Sequence, residues 1–186
     1  MREADSERAF RTYLKTFICY LRELKDMSKI AIVYDSKTGN TEKMAKAIAE
    51  GASTVKGVET ALYKVGTRFS IHALNDADAI MLGSPSRYGL PTLEMKEFID
   101  AAAQHTKSEK LALKGKTGGV FGSYAWDGGD VVDRLAETLK VWGVKVVTPM
   151  IAAVDRAGSM GVRIDEESLR KCRELGKTVA EKLAKP

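Results

Sequence analysis

Short apolar runs alternate along this chain with segments whose apolar residues recur three and four positions apart. The runs are typical of buried strands and the segments of amphipathic helices. Because strands separated by helices pair in parallel, the alternation predicts an α/β fold, a doubly wound five-stranded parallel sheet with helices on both faces. We expect strands at residues 29–34, 58–65, 79–83, 117–122 and 144–147.

Four apolar stripes supply the helices that pack on this sheet. Cys172 lies within the last stripe, so it is interpreted as a packing residue. The second strand is more mixed in composition than the central ones, as an edge strand should be. The stripes consist of Met44 and Ile48; of Met95, Phe98, Ile99 and Ala102; of Val132, Leu135, Leu139 and Trp142; and of Leu169, Cys172, Leu175, Val179 and Leu183.

The loop after the first strand is rich in hydroxyl groups and opens directly into a helix. Ser36, Thr38, Asn40 and Thr41 crowd side-chain donors together, and Gly39 lets the backbone come close to a ligand. The helix that begins near Asn40 directs its unpaired N–H groups and positive dipole end at the same place. These features predict a phosphate-binding loop.

Two other glycine-rich phosphate motifs are excluded by spacing. Gly115-Lys116-Thr117 would end a G-x-x-x-x-G-K-[ST] motif, but Lys110 stands where its first glycine is required. No predicted strand is followed by G-x-G-x-x-G. The loop is therefore neither an NTPase phosphate loop nor a dinucleotide fingerprint.

Three loops together resemble the flavin-binding loops of the flavodoxin family. Residues 36–41 resemble its [ST]-x-T-G-x-T phosphate loop, residues 80–89 its second flavin loop, and residues 120–129 its third. The resemblance implies the strand order 2-1-3-4-5, in which these loops meet where the winding direction reverses, and FMN as the cofactor. The implied FMN-binding residues are Ser36, Lys37, Thr38, Gly39, Asn40, Thr41, Ser84, Pro85, Ser86, Arg87, Tyr88, Gly89, Ser123, Tyr124, Ala125, Trp126, Asp127, Gly128 and Gly129.

In the second loop, residues 84–86 are expected to shape a tight turn. Tyr88-Gly89 lines up with the aromatic-glycine pair that stacks on the flavin near its N5 in many flavodoxins. The resemblance implies that the Gly89 carbonyl turns to accept a hydrogen bond when N5 is protonated, a motion that glycine permits. In the third loop, Tyr124 stands where the family often places the outer stacking aromatic, and Trp126 is a second candidate.

The second loop departs from ordinary flavodoxins, which place acidic residues after the aromatic-glycine pair. Leu90 and Pro91 follow here, and residues 83–89 are similar to the quinone reductases of the Trp-repressor-binding-protein family. Arg87 near the flavin would favour anionic reduced flavin; alternatively it points into solvent or pairs with a carboxylate. Asp127 and Asp130 would act in the opposite direction.

The third loop and the last helix resemble a different branch. Residues 122–129 and 165–176 are similar to the flavodoxin domain of flavodiiron proteins, which pair that domain with a metal-bearing one. The resemblance to the superfamily covers residues 29 to about 183. Different loops therefore indicate different subfamilies. The sequence predicts FMN as the cofactor more strongly than it predicts any particular reaction.

Three functions remain open on the sequence. The first is an FMN-dependent electron carrier between partners, and the second is an FMN-dependent NAD(P)H:quinone or flavin oxidoreductase. The third is a regulatory or assembly module that binds flavin. The sequence shows no dedicated nicotinamide site, which favours the carrier. In this family, however, such sites are often built across the interfaces of homo-oligomers.

Composition bears on partners and location. The net charge of +5, with Lys107, Lys110, Lys114 and Lys116 before the fourth strand, favours redox partners with acidic surfaces. Nucleic acid is a weaker interpretation because no binding motif accompanies the charge. No apolar run approaches the roughly 18 residues of a membrane span.

Cysteines and histidines are too few to predict a metal or disulfide site. Cys19 and Cys172 form no C-x-x-C pair, so a reducing cytoplasm is expected. His72 and His105, the two histidines of the chain, are expected to be surface or loop residues rather than ligands.

Residues 1–26 are expected to lie outside the flavodoxin-like domain of residues 27–186. Phe10, Leu14, Phe17, Leu21 and Leu24 form one apolar face, which predicts an amphipathic helix. Such a helix would cover a hydrophobic patch, form a dimer contact or bind a partner. Alternatively, Met27 is the natural start and the extension comes from a misassigned start codon.

Overall fold

The computed structural model describes residues 11–18, 27–154 and 164–184 of the 186-residue chain. A helix, α1, is described over residues 11–18. The strands are β1 (Ser28–Tyr34), β2 (Val58–Lys64), β3 (Ala79–Pro85), β4 (Thr117–Tyr124), β5 (Lys145–Val146) and β6 (Ile151–Val154). The other helices are α2 (Asn40–Ser53), α3 (Leu93–Lys107), α4 (Val131–Val141) and α5 (Glu166–Leu183), with a 3-10 turn at Ile71–Leu74.

The strands form one parallel sheet in the order β2-β1-β3-β4-β5, with β6 also pairing with β4. The predicted fold class and strand order are thus confirmed, and β2 lies at the edge. The pairing of Tyr34 with Gly83 and of Pro85 with Ser123 brings the carboxyl ends of β1, β3 and β4 together. The loops that follow these three strands therefore lie together at the carboxyl end of the sheet.

The edge beyond β4 differs from the prediction of five strands. The predicted strand at 144–147 is only the two-residue β5, and a second short strand, β6, pairs further along β4. Pro149 lies between the two segments and has no N–H to donate to a ladder. The sheet consequently has six strands. The four residues of β6 were too short a pattern to be recognised in the sequence.

The core lies on both faces of the sheet because the central strands are buried on both sides. In β1, Ile30 and Ile32 pack with buried residues of α2 and α5. The alternate residues, Ala31 and Val33, pack with those of α3 and α4. This arrangement explains why the central strands read as continuous apolar runs rather than as alternating ones.

The last helix shows how local sequence sets an element. The Asp165 side chain accepts a hydrogen bond from the Ser168 backbone N–H at 2.8 Å and so caps α5. Its predicted stripe faces the core, where Leu169 and Cys172 are buried. Burial raises the pKa of the Cys172 thiol to about 12, with Arg173 acting weakly in the opposite direction. The interpretation of Cys172 as a packing residue agrees with this position.

Of the four lysines predicted to form a basic cluster before β4, Lys116 does not belong to it. Lys107, Lys110 and Lys114 are exposed, and they lie at the amino end of the sheet, opposite the three loops. The Lys116 ammonium instead donates hydrogen bonds to the carbonyl oxygens of Leu74, Asn75 and Ala77, and burial lowers its pKa. A lysine stem can reach backbone acceptors that a sequence pattern does not reveal.

The two histidines contact each other although 33 positions separate them. Their ring centroids lie 5.1 Å apart in an edge-to-face arrangement. His72 is exposed, but His105 lies within α3 and is partly buried, so the surface expectation is wrong for His105. Within the described ranges, no group of three or more His, Cys, Asp or Glu side chains is arranged to hold a metal ion.

The apolar side chains of α1 are exposed: Tyr13, Leu14, Phe17 and Ile18. The other predicted members of that face, Phe10, Leu21 and Leu24, lie outside the described residues, as does Cys19. Across the part of the chain that the structure describes, no helix is both long and apolar enough to cross a membrane.

Candidate cofactor site

The first loop, residues 36–41, joins β1 to α2 and holds its polar side chains below the surface. Ser36, Asn40 and Thr41 are at most 4% exposed. The Ser36 hydroxyl accepts a hydrogen bond from the Glu42 backbone N–H at 3.1 Å, and the Asn40 amide donates to the Thr38 hydroxyl at 3.1 Å. These bonds fix the loop as a ring of oriented donors and acceptors.

Gly39 allows the loop to turn into the helix. It occupies the N-cap of α2 with φ 90°, a left-handed conformation that glycine adopts without strain. Gly39 itself has no side chain to cap the helix, and the Ser36 hydroxyl accepts the N–H of Glu42 in its first turn. The positive end of the helix dipole faces the loop, which suits an anion.

A buried hydroxyl pair connects the first loop to the third. The hydroxyls of Thr41 and Ser123 lie 3.0 Å apart, and both residues are almost fully buried. Ser123 belongs to β4, two strands away from β1. This hydrogen bond sets the distance between the phosphate loop and the start of the third loop.

Lys37 takes part in a charge cluster that the sequence analysis missed. Its ammonium forms an ion pair with Glu94 in the first turn of α3, and it lies 4.0 Å from the Asp35 carboxylate. The bond with Glu94 raises the pKa of Lys37 and lowers the pKa of Glu94. The buried Asp35 Oδ2 has no hydrogen-bond partner among the described residues. An acidic residue at the end of a buried strand was the available signal for Asp35.

The tight turn of the second loop lies later than predicted. Ser84 and Pro85 are the last residues of β3, because Pro85 still pairs with Ser123. Arg87 and Leu90 instead exchange backbone hydrogen bonds of 2.8 and 3.1 Å. The two residues between them, Tyr88 and Gly89, have φ of 57° and 77°, as a two-residue hairpin turn requires. The prediction of a turn at residues 84–86 is therefore wrong.

Two aromatic side chains stand at the mouth of the site. Tyr88 is 80% exposed and Trp126 is 73% exposed, and their ring centroids lie 5.3 Å apart at an interplanar angle of 74°. Tyr124 ends β4 and is partly buried, with its ring against Gly129, where an added Cβ would lie 2.9 Å from the Tyr124 Cδ1. The structure thus brings Trp126, rather than Tyr124, next to Tyr88.

The third loop, residues 125–130, contacts the second through Asp127. The carboxylate accepts hydrogen bonds from the Ser86 hydroxyl at 2.6 Å and from the Gly89 backbone N–H at 3.0 Å. Burial alone would raise its pKa, but these bonds and one from the Gly129 N–H outweigh burial and lower it. The carboxylate is therefore ionised at neutral pH. Gly128 and Gly129, with φ of 78° and 81°, complete the turn into α4.

A small cleft of about 120 Å³ opens between the second and third loops. Arg87 is exposed at its rim and forms no ion pair with a carboxylate of the described residues. Its predicted alternative as an ion-pair partner is thus not observed there. The residues lining the cleft are Ser86, Arg87, Tyr88, Ala125, Trp126 and Asp127.

The donor set fits a phosphorylated, planar cofactor. Hydroxyls, a glycine turn and the amino end of a helix suit a phosphate at the first loop. Two exposed aromatic side chains beside a cleft suit a flat ring between the other loops. Fold and site together define a doubly wound α/β protein whose topological switch point suits a phosphorylated aromatic cofactor.

Comparisons with known proteins give the family. The sequence profile described as Flavodoxin matches residues 32–174. A flavodoxin of Aquifex aeolicus (strain VF5) is 31% identical over 169 residues, covering 85% of this chain and 88% of that protein. An NAD(P)H dehydrogenase (quinone) of Archaeoglobus fulgidus is 32% identical over 189 residues, covering 83% of this chain and 97% of that protein. This chain belongs to the flavodoxin family.

Solved structures agree with the fold. A WrbA-like flavodoxin from Agrobacterium tumefaciens has a TM-score of 0.70 at 28% identity and covers 84% of this chain and 97% of that chain. A flavodiiron core from Synechocystis sp. PCC6803 has a TM-score of 0.69 at 22% identity, with 94% of this chain and 40% of that chain covered, which shows the fold alone. The predicted flavodoxin-like fold is confirmed, and the cofactor of this flavoprotein is FMN.

Proposed function

We propose that this protein is an electron carrier that exchanges electrons with partner proteins through FMN bound at the three loops. The observation that carries this proposal is the openness of the site. Tyr88 and Trp126, which would flank the flavin, are 80% and 73% exposed, so the edge of a ring bound between them would be accessible to a partner protein. An exposed cofactor edge suits transfer between proteins.

Residues 36–41 would hold the FMN phosphate. The Ser36, Thr38 and Thr41 hydroxyls lie around the amino end of α2, and Gly39 leaves room for close backbone approach. Neutral donors and the helix dipole stabilise an anion there without a cationic side chain. Lys37 is held by Glu94 and by its proximity to Asp35, so we assign it to loop positioning rather than to phosphate charge.

Tyr88 and Trp126 would flank the flavin ring. Because their rings are in contact at 5.3 Å between centroids, they must separate to admit it. Ser84, Pro85 and Ser86 lead into the turn that carries Tyr88, while Ser123, Tyr124, Ala125, Gly128 and Gly129 shape the opposite loop. When bound, FMN supplies reversible one- and two-electron redox chemistry, and the chain binds it, orients it and limits the access of water.

The second candidate is an FMN-dependent NAD(P)H:quinone or flavin oxidoreductase. Arg87 favours it, because an exposed guanidinium at the rim of the cleft stabilises negative charge on a bound ring or on an incoming anionic substrate. The relative named NAD(P)H dehydrogenase (quinone) has similar overall identity to the relative named flavodoxin. A quinone and NAD(P)H would then replace the partner protein, and a homo-oligomer would complete the nicotinamide site.

The redox partner proposed for the carrier has an acidic surface. The net charge of +5 would raise its encounter rate at low ionic strength. Lys107, Lys110 and Lys114 lie at the amino end of the sheet, far from the three loops, so they steer the partner at long range rather than contact it. We also infer a cytoplasmic location, which is supported by Cys172 being a buried free thiol.

Anaerobic reductive titration of the FMN-loaded protein separates the two candidates. Dithionite, NADH and NADPH are compared as reductants while the visible spectrum is recorded. Accumulation of one-electron-reduced flavin with dithionite, without reaction with the nucleotides, supports the carrier. Rapid bleaching by a nucleotide, reversed by a quinone, supports the oxidoreductase instead. A protein that stays colourless and binds no added FMN contradicts both.

A further inference from the structure

We propose that Asp127 is a positioning residue that fixes the Tyr88-Gly89 turn against the third loop, so that the two loops flanking the flavin behave as one unit. The proposal rests on the proposed FMN site. It gives Asp127, one of the residues that line the cleft, the role of determining where the turn that carries Tyr88 is held.

The geometry places one carboxylate across both loops. Oδ2 of Asp127 accepts hydrogen bonds from the Ser86 hydroxyl at 2.6 Å and from the Gly89 N–H at 3.0 Å. Oδ1 accepts the Gly129 N–H at 3.4 Å. The Gly89 N–H also lies 3.2 Å from the Ser86 hydroxyl. Two of the three donors belong to the second loop and one to the third, so the carboxylate links segments that are about 40 positions apart.

The turn needs such a constraint because of Tyr88. A φ of 57° is uncommon for a bulky residue and is retained only where the surroundings determine it. Asp127 binds the residue two positions before Tyr88 and the residue directly after it. The backbone bonds between Arg87 and Leu90 close the same turn. Together these bonds hold the backbone turn that carries the 80% exposed ring of Tyr88.

The same carboxylate also fixes a negative charge beside the cleft. Asp127 is one of the residues lining the cleft, and Arg87 is the cation on the same rim. A charge held at Gly89 disfavours the accumulation of negative charge on a ring bound there. Loss of this charge should therefore strengthen binding of reduced flavin more than binding of oxidised flavin.

Asp130 provides a matched control. It is an exposed carboxylate in the same loop, and its Cβ lies 3.5 Å from where a Cβ on Gly89 would stand. The described hydrogen bonds of the second loop involve Asp127 and not the Asp130 side chain. Asp130→Asn and Asp130→Ala thus change charge and volume close to Gly89 without touching the proposed link.

The test compares substitutions of Asp127 with substitutions of Asp130 in two measurements. Amide hydrogen exchange at Gly89, measured by NMR on the cofactor-free protein, should be at least tenfold faster in Asp127→Ala. It should stay nearer the parent rate in Asp127→Asn, whose amide oxygen still accepts, and be unchanged in Asp130→Ala. In the FMN-loaded protein, Asp127→Asn should raise the affinity ratio of reduced to oxidised flavin about tenfold. This change is about 30 mV in a two-electron potential.

The opposite results overturn the proposal. Unchanged Gly89 exchange in Asp127→Ala, or equal potential shifts in Asp127→Asn and Asp130→Asn, would show that Asp127 has no special role. Parent protein that fails to bind FMN contradicts the proposed function instead, and Gly89 exchange then still decides whether Asp127 links the loops. Circular dichroism on each variant separates loss of the link from loss of the fold.

Discussion

At the scale of single residues, the hydroxyl pair of Thr41 and Ser123 connects the amino end of α2 to β4. We expect Thr41→Val to weaken FMN binding at least tenfold, because it removes a donor from the phosphate loop and leaves the Ser123 hydroxyl buried without its partner. An unpaired buried hydroxyl costs about 1 to 3 kcal/mol. Isothermal titration with FMN and with riboflavin measures the effect, and riboflavin affinity should change much less.

Thr178→Val is the control for this substitution. The Thr178 hydroxyl also lies on a helix, where it donates to the Glu174 carbonyl at 2.8 Å, but it is on α5. FMN affinity should be unchanged in this variant. Equal losses for FMN and riboflavin in Thr41→Val would contradict the assignment of this loop to the phosphate.

The second prediction concerns Cys172 and the dependence of the free energy of unfolding on pH. Its thiol pKa of about 12 in the folded protein exceeds the unfolded value of roughly 8.5. The unfolded state therefore loses its proton first as pH rises, so this contribution to stability is complete below pH 8 and declines above about 8.5. Between pH 8 and pH 10 we expect a loss of about 2 kcal/mol in the free energy of unfolding.

Denaturant unfolding at the two pH values measures this loss, and Cys172→Ala supplies the reference that lacks the thiol. The variant should lose less stability over the same interval than the parent. In a Cys19→Ser background, Cys172 should also react with a thiol reagent only as fast as the protein unfolds. Rapid reaction of the native protein would contradict the described burial.

At the scale of elements, α2 and α5 pack backbone against backbone. A Cβ on Gly51 would lie 1.9 Å from the Arg173 carbonyl oxygen, and a Cβ on Gly176 would lie 2.0 Å from the Ile48 carbonyl oxygen. These overlaps involve backbone atoms, so a side chain cannot rotate away to relieve them. The two glycines are therefore required for the closeness of these helices.

We expect Gly51→Ala and Gly176→Ala each to lower the free energy of unfolding by about 1 to 3 kcal/mol, as overpacking does. Alanine is the better helix former by about 1 kcal/mol, so helix propensity alone predicts the opposite sign. Denaturant unfolding distinguishes the two effects. Glu50→Ala, at an exposed position of α2, should be close to neutral. Stabilisation by either glycine substitution would contradict the described contact.

At the scale of the whole molecule, FMN should stabilise the fold because its site, built from loops after three strands distant in sequence, exists only in the folded state. Ligand at a hundredfold excess over its dissociation constant adds about 2.7 kcal/mol. For a domain of this size, that corresponds to a rise of about 5 to 11 °C in Tm. Thermal unfolding with FMN and with equimolar riboflavin measures the rise. Equal rises would contradict a contribution from the phosphate loop.

Removal of residues 1–26 tests the proposed domain boundary. We expect residues 27–186 to keep the Tm and the FMN affinity of the full chain, because the three loops and both halves of the core lie within them. Light scattering on both forms compares their oligomeric states, since Tyr13 and Phe17 of α1 present exposed aromatic surface. A fall in Tm of more than about 4 °C, the equivalent of 1 kcal/mol, would contradict the boundary.

Local patterns in the sequence were sufficient for the fold class, and the resemblance of three loops to the flavodoxin family supplied the strand order and the cofactor. Apolar period distinguishes strand from helix, and the hydroxyl- and glycine-rich loop after β1 depends on neighbouring residues only. Capping also works locally, as at Asp165. Each of these features arises within a few residues of chain, so the order of residues determines it.

Only the tertiary structure decided which distant residues meet. The pairing of Pro85 with Ser123 extended β3 and moved the tight turn to Tyr88-Gly89. The same packing put Trp126 beside Tyr88, and Asp127 onto Gly89. These contacts join positions about 40 residues apart, and their geometry depends on sheet register and helix packing, which no local pattern encodes.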